Sequence, residues 1–387
     1  MELCLQLFHD PDVHQLPRPP PATETAGSAT PSPRCATPVA ATRKRSRVEA
    51  FGSTEEYEET CLLGEGGFGA VVKARHRDTG EAVAIKRLTD PDPDGGGVWR
   101  EEVLREARLH ETCGDHPFIV GFRGVVRDPA TAELGLVMEC VGGPSVGEFL
   151  REQRRRGRLP LPEATVRAAM WQLLTGAKRM HEKHVVHRDM KPENILVSGD
   201  GRAVKICDFG LAMSMSESPP YDPDAGSLWY MAPELLLEKD DYDALVDTWS
   251  LGCVMAELIN GKVLFEEGRD EEGQLVEIFD VLGYPEDKTW PWFSSTPFAK
   301  EVLPELDVHH RSHLREMFPE AVLSRQGFEV LDGLLTCNPD KRLTAAAALK
   351  HPWFAKVDAL ELLGNEEVSP AALTNKELLM VPVVPCA

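Results

Sequence analysis

Between residues 62 and 75, and again between 82 and 87, apolar side chains alternate with polar ones and β-branched residues are frequent. Asp78-Thr79-Gly80 separates the two stretches. A period of two sets every second residue on one face of a sheet, and an Asp-Thr-Gly run supplies turn residues, so the pattern predicts strand, turn, strand. Residues 99–112 are highly charged, yet Val103, Leu104, Ala107 and Leu109 fall on roughly one side at helical spacing, which predicts an amphipathic helix. Residues 134–141 are a further apolar strand. Helical periodicity dominates after that, at 163–183, 242–259, 274–282 and 328–335. The expected architecture is α+β, a strand-rich small lobe with one helix followed by a helix-rich large lobe. Internal repeats and heptads are not visible.

The first fifty or so residues read differently. From Pro17 to Pro38 the chain is rich in Pro, Ala, Ser and Thr and holds few large apolar residues. Such a segment cannot repay its ordering entropy, so 1–56 is expected to be a disordered tail, 57–354 the folded domain (57–141 small lobe, 142–354 large lobe) and 355–387 a second tail. The first tail carries Arg43-Lys44-Arg45-Ser46-Arg47, which fits a nuclear-import signal or a solvated basic run. A length of 387 residues accommodates one two-lobed domain with tails, and a net charge of −21 excludes a globally basic nucleic-acid binder. The nine cysteines are scattered, with no C-x-x-C pair, which argues against a disulfide framework or structural zinc and fits a reducing compartment. Neither a signal peptide nor an apolar run of membrane-spanning length is present. The expectation is an intracellular chain, in nucleus or cytoplasm, with no membrane and no direct nucleic-acid partner.

Chemistry enters with Gly64-Glu65-Gly66-Gly67-Phe68-Gly69-Ala70-Val71, which fits G-x-G-x-x-G-x-V. Glycines let backbone N–H groups approach phosphate oxygens with no Cβ in the way. A dinucleotide-binding loop of similar spacing opens a helix, whereas here strand-like Val71-Val72-Lys73-Ala74 follows. Val83-Ala84-Ile85-Lys86 then places a lysine on the next strand. Its ammonium needs an anionic partner to stay on bound phosphates: Glu106 is the first candidate, with Glu101 and Glu102 as alternatives on the same helix. Further on, His187-Arg188-Asp189-Met190-Lys191-Pro192-Glu193-Asn194 and Asp208-Phe209-Gly210 supply the groups that phosphoryl transfer requires, which are positioning and charge neutralisation. Asp189 is placed to accept or orient a hydroxyl proton, Lys191 to sit beside the moving phosphate, and Asn194 and Asp208 to offer the oxygen ligands that Mg²⁺ prefers.

In this order, across 57–354, these motifs resemble the eukaryotic protein kinase family. The resemblance implies the two-lobed fold with ATP in the cleft, ATP and Mg²⁺ as cofactors, and Lys191 marks the serine/threonine form of the loop. It implies nucleotide contacts from Leu63 through Val71 and from Lys86, Met138 as the gatekeeper, and Glu139, Cys140 and Val141 as the hinge. Asp247 resembles the aspartate that braces the catalytic loop, and Arg342 the buried partner of Glu234 in Ala232-Pro233-Glu234. Gly226-Ser227-Leu228-Trp229-Tyr230 and the stretch 275–291 are similar to cyclin-dependent kinases, which implies Ser/Thr-Pro protein substrates and a cyclin or other regulatory subunit as a partner. Departures alter the expected regulation. Gly67 and Phe68 stand where an inhibitory Thr-Tyr pair is common, and Asp222 stands where the activating phosphothreonine lies. Arg105 and Arg188 match two of the three arginines that clamp that phosphate, while Met213 replaces the third and Met231 replaces an arginine of the proline pocket. The helix before Glu106 lacks the cyclin-recognition sequence. These changes imply activity without activation-loop phosphorylation. Two other readings fit the same motifs: a kinase-shaped scaffold without catalysis, and an activating kinase for other cyclin-dependent kinases.

Overall fold

The alternating stretch at 62–75 is two strands, not one. The computed structural model describes residues 46–48, 50–66, 69–88, 98–216, 226–285, 288–302, 304, 311–357 and 360, all within one compact unit. After the short strand β1 (Gly52–Ser53), β2 (Tyr57–Gly66) and β3 (Gly69–His76) pair antiparallel, with Glu65 opposite Ala70 and Gly66 opposite Gly69. The stretch read as one strand is therefore two neighbouring antiparallel arms, with register shifts in β2 at Glu59/Cys61 and Leu62/Gly64. Gly67 and Phe68 lie outside the described residues. β4 (Ala82–Leu88) follows the predicted turn and pairs with β3. The predicted helix is α1 (Val98–Cys113), and Val103, Leu104, Ala107 and Leu109 are all buried on it. β5 (Phe122–Arg127), which the sequence pattern missed, and β6 (Leu134–Glu139) complete a six-stranded sheet in the order β1-β5-β6-β4-β3-β2. Only the β1–β5 pairing is parallel.

Four successive residues of β4, Val83 to Lys86, are buried, which means that both faces of this strand are covered. One face packs Val83 and Ile85 with Val72 and Val137. The other packs Leu88 with Val103, Leu104 and Ala107 of α1. Lys86 is thereby carried into the interior on a strand that sits near the middle of the sheet.

The large lobe begins with β7 (Gly142–Ser145), α2 (Val146–Arg155) and α3 (Glu163–Glu182). The α2 helix escaped the periodicity reading, but its start was written locally. Ser145 accepts from Glu148 N–H at 3.1 Å while Glu148 accepts from Ser145 N–H at 2.9 Å, a reciprocal capping box. Short strands β8 (Val185–Val186), β9 (Ile195–Ser198), β10 (Val204–Ile206) and β11 (Met213–Ser214) frame the loops between them. Helices α4 (Pro233–Leu236), α5 (Leu245–Asn260), α6 (Glu271–Leu282), α7 (Leu314–Met317), α8 (Arg325–Leu334) and α9 (Ala345–Ala348) complete it. Among the described residues, no helix is long and apolar enough to cross a membrane.

A fully buried ion pair lies in the large-lobe core. Arg342 donates to both oxygens of Glu234 at 2.6 and 2.7 Å, and its remaining donors reach the carbonyls of Thr336, Leu245 and Cys337. The guanidinium also lies over the Trp249 ring. Every donor is satisfied, the condition under which a buried charge pair is tolerated. We expect Arg342→Met to cost about 3–5 kcal/mol, because Glu234 is left buried and unpaired. Adding Glu234→Met should recover part of that loss. Denaturant midpoints measure both, and a double variant no more stable than the single one would contradict the pairing.

Candidate active site

Lys86 lies opposite Val71 of β3 and Leu136 of β6, below α1. Its ammonium is 2.9 Å from Glu106 Oε1 and 2.7 Å from Asp208 Oδ1. Helical spacing selects Glu106: it shares the buried side of α1 with Val103 and Ala107, whereas Glu101 and Glu102 are exposed. Burial alone would pull the Lys86 pKa down; the charges of Glu106 and Asp208 outweigh it and hold the ammonium above the ordinary lysine value. Burial pushes the Asp208 carboxyl up, and the Lys86 charge, with hydrogen bonds from Lys86 and Gly210 N–H, overcomes this and holds it below the ordinary range. Lys86 is thus protonated and Asp208 ionised at neutral pH.

The loop after β8 is hung on Asp247, a fully buried carboxylate in the first turn of α5. Asp247 Oδ2 accepts from His187 N–H and Oδ1 from Arg188 N–H, each at 2.9 Å, and His181 Nε2 lies 2.9 Å from Oδ2. Burial raises the Asp247 pKa and these contacts, led by His181, bring it below its usual value. Arg188 takes φ +66° and Asp208 φ +65°, a left-handed conformation costing roughly 1–3 kcal/mol at a non-glycine residue. The Asp247 contacts hold Arg188 in that state. The Arg188 side chain donates from Nε to Leu211 O at 2.7 Å and from Nη1 to the Tyr242 hydroxyl at 3.0 Å. That hydroxyl lies 3.5 Å from the Met213 sulfur.

Asp189 is the centre of the loop. Its Oδ2 accepts from Asn194 Nδ2 at 2.8 Å and from the Lys191 ammonium at 2.9 Å. Its Oδ1 accepts from the Ser227 hydroxyl at 2.8 Å, and Lys191 in turn donates to Ser227 Oγ at 2.7 Å. Asn194 Nδ2 also donates to the Asp189 carbonyl at 2.9 Å. Both partners are acceptors, so the amide nitrogen must face them and Oδ1 must face away. Ser227 was not among the sequence-derived site residues. The signal available was its place within Gly226-Ser227-Leu228-Trp229-Tyr230; Gly226 takes φ +139°, and a Cβ there would lie 3.0 Å from Arg188 O.

Most of the remaining expected residues lie on β2, β3, β6 and α1. Gly64 and Glu65 lie on β2, Ala70 and Val71 on β3, and Leu63 is exposed on β2. Gly69 takes φ +116°, and a Cβ there would come within 2.0 Å of Arg87 O, so no other residue closes the hairpin onto β4. Met138 is buried on β6 opposite Ala84 and Phe122. Glu139 accepts from Lys205 of β10 at 2.7 and 2.8 Å and from Gly121 N–H at 3.0 Å, tying the two lobes together at the end of β6, with half-buried Cys140 next to it. Arg105 is half-buried on α1. Asp222 lies outside the described residues.

A column of rings backs the site. Phe209 stacks on His110 of α1 (4.7 Å, 10°) and meets His187 edge-on at 5.4 Å, while His110 reaches Phe122 of β5 at 5.3 Å. His110 is buried, with Nε2 2.7 Å from the Val120 carbonyl, an acceptor, so that nitrogen carries the proton.

Among the described residues, no group of three or more His, Cys, Asp or Glu side chains is arranged to hold a metal ion. Asp208, with about a third of its side chain exposed, and the outward Oδ1 of Asn194 are a two-oxygen set. That suits Mg²⁺, which takes one or two protein oxygens and completes its shell from phosphates and water.

Residues 57–354 match the protein kinase domain, and the chain belongs to the protein kinase family. The domain uses ATP with a divalent metal ion. Cyclin-dependent kinase F-2 of Oryza sativa subsp. japonica is 48% identical over 309 residues, which span 79% of this chain and 91% of that protein. Cyclin-dependent kinase G1 of Arabidopsis thaliana is 38% identical over 79% of this chain and 50% of its own length, and human cyclin-dependent kinase 11B is 35% identical over 79% and 37%. The chain is a cyclin-dependent-kinase-like serine/threonine protein kinase, matching at most half the length of the latter two relatives.

Burial holds His110 well below the ordinary imidazole value of 6.5, at about 4, with the Val120 hydrogen bond opposing only in part. The folded state keeps the ring neutral while the unfolded chain takes up a proton as pH falls. His110 therefore contributes stability that is complete above pH 6.5 and is lost between 6.5 and about 4. Denaturant titrations of wild type and His110→Leu should show a stability difference that shifts against wild type across that window. A difference independent of pH would contradict a buried neutral histidine.

Proposed function

We propose that Asp189, Lys191, Lys86, Glu106, Asn194 and Asp208 carry out transfer of the ATP γ-phosphate to serine or threonine hydroxyls of protein substrates. The observation that carries this reading is the state of Asp189: its carboxylate is fixed on one side by Asn194 and Lys191 and already accepts a hydroxyl, that of Ser227, at 2.8 Å. A substrate hydroxyl at the same distance would have its proton oriented or received by Asp189. The Lys191 ammonium, 2.9 Å from that carboxylate, supplies positive charge where negative charge develops on the moving group. Lys86, fixed by Glu106, would hold phosphate oxygens, and Asp208 with Asn194 Oδ1 would hold Mg²⁺. When bound, the ion neutralises phosphate charge. Leu63 through Val71 would cover the nucleotide, and Met138, Glu139 and Cys140 would face its base.

The preference for Ser/Thr-Pro rests on Gly226, whose φ of +139° gives the backbone the bend of a proline-accepting pocket, with buried Met231 beside it. Regulation in which a carboxylate, Asp222, takes the place of the phosphothreonine is supported by its place in the sequence and by Met213 standing where the third clamping arginine would be.

Asp189→Asn should lower phosphotransfer to a serine peptide by about 10²–10⁴-fold with folding intact. Radiolabel transfer measures it, and a variant as active as wild type would overturn the assignment. In the same assay a Ser-Pro peptide should exceed its Ser-Ala counterpart by roughly tenfold or more. Phosphatase treatment should leave activity in place while Asp222→Ala reduces it; the reverse pattern would exclude regulation through Asp222.

A further inference from the structure

The residues ahead of the matched domain form a strap on α1. Ser46 Oγ donates to Glu111 Oε2 at 2.6 Å and Arg47 N–H to Glu111 Oε1 at 2.7 Å, so both oxygens of this α1 carboxylate are gripped. The Arg47 guanidinium donates to the Phe122 carbonyl on β5 at 2.7 Å. Val48 is buried in the same cluster as Val103, Leu104 and Ala107, the apolar face of α1. Further on, the Phe51 ring lies under the Arg100 guanidinium, near the other end of the helix, and β1 pairs in parallel with β5. The strap thus touches α1 close to both ends, and Glu106 lies between. A helix whose position decides whether Glu106 reaches Lys86 is held here by the chain's own preceding segment.

Ser46 is the one hydroxyl in the carboxylate grip, and it stands in Arg43-Lys44-Arg45-Ser46-Arg47. We propose that Ser46 is a phosphorylation site, modified by a kinase that recognises basic flanks, and that its phosphate releases the strap from α1 and lowers activity. Arg47 occupies the position after the serine, so the site lacks the proline this kinase is read to prefer, and the modifying enzyme is a different one. In the step, Ser46 Oγ bonds to the γ-phosphorus of that enzyme's ATP. The bond to the ADP oxygen breaks, and the hydroxyl proton leaves to the enzyme's base.

The product replaces an O–H donor by a near-dianion with three acceptor oxygens, in contact with the Glu111 carboxylate. Attraction at 2.6 Å becomes repulsion in a half-buried position. The only cation of the described strap, Arg47, is engaged with Phe122 O, and turning it to the phosphate breaks that anchor as well. With Glu111 lost, Val48 alone fixes this end of the strap. The inference rests on the reading of Lys86 and Glu106 above.

The experiment uses the full chain with phosphoserine installed at position 46 by codon suppression, beside the unmodified chain. Hydrogen exchange of 98–113 reads the strap, and peptide phosphorylation reads the site. We expect amide exchange in α1 to accelerate by about tenfold or more and turnover to fall several-fold, with exchange at 185–198 unchanged. The same acceleration is expected in the Asp189→Asn background, where catalysis plays no part. Glu111→Gln in the phosphorylated chain removes the opposing charge and should slow α1 exchange again. Unchanged or slower exchange on phosphorylation, or no effect of Glu111→Gln, would overturn the proposal. Faster exchange with full activity would instead overturn the role given to Glu106.

Discussion

A buried ammonium must be paired, and in this molecule the pairing of Lys86 determines where three separate elements sit. Lys86 cannot leave its place because both faces of β4 are covered. Its two carboxylate partners come from α1 and from the loop after β10, so satisfying one charge fixes a helix of the small lobe and the Asp208 segment of the large lobe together. The low dielectric that makes an unpaired charge costly also strengthens each contact once made. The ring column of Phe122, His110, Phe209 and His187 runs through the same elements and couples them by packing where Lys86 couples them by charge.

The loop from His187 to Asn194 uses the same principle with a different partner. The Asp247 carboxylate is held by two backbone N–H groups and by His181. Backbone donors cannot swing away, so the carboxylate fixes a chain path, including the left-handed Arg188. Asp189 then emerges at a set position, and Asn194, Lys191 and Ser227 leave its carboxylate few alternative orientations. Glu139 at the end of β6 and Lys205 of β10 add one more ion pair between the small-lobe sheet and the large lobe.

Much of this was legible in the sequence because each group carries a local pattern. Helical spacing distinguishes Glu106 from Glu101 and Glu102 once the apolar face of α1 is known. The order of the glycine run, Lys86, Asp189, Asn194 and Asp208 identified the family. What stayed hidden depends on contacts between distant parts of the chain. The division of 62–75 into β2 and β3 rests on the pairing of Glu65 with Ala70 and Gly66 with Gly69, a contact between arms that the run of apolar residues does not record. Ser227 has no chemistry of its own until Lys191 and Asp189 close on it. Residues 46–48 and 50–56 read as tail because Val48 and Phe51 are isolated apolar residues in a polar run, and only the α1 surface makes them part of the fold. Leu360, beyond the expected domain end, is likewise buried in the large-lobe core.

Glu106→Gln tests the central constraint most directly, because it keeps the shape of the side chain and removes only the charge that fixes Lys86. Steady-state phosphotransfer to a serine peptide, with ATP varied, should show kcat/KM for ATP reduced by about 10²-fold in a chain that still unfolds cooperatively. A variant with wild-type kcat/KM would contradict the dependence of the site on the Lys86 pairing.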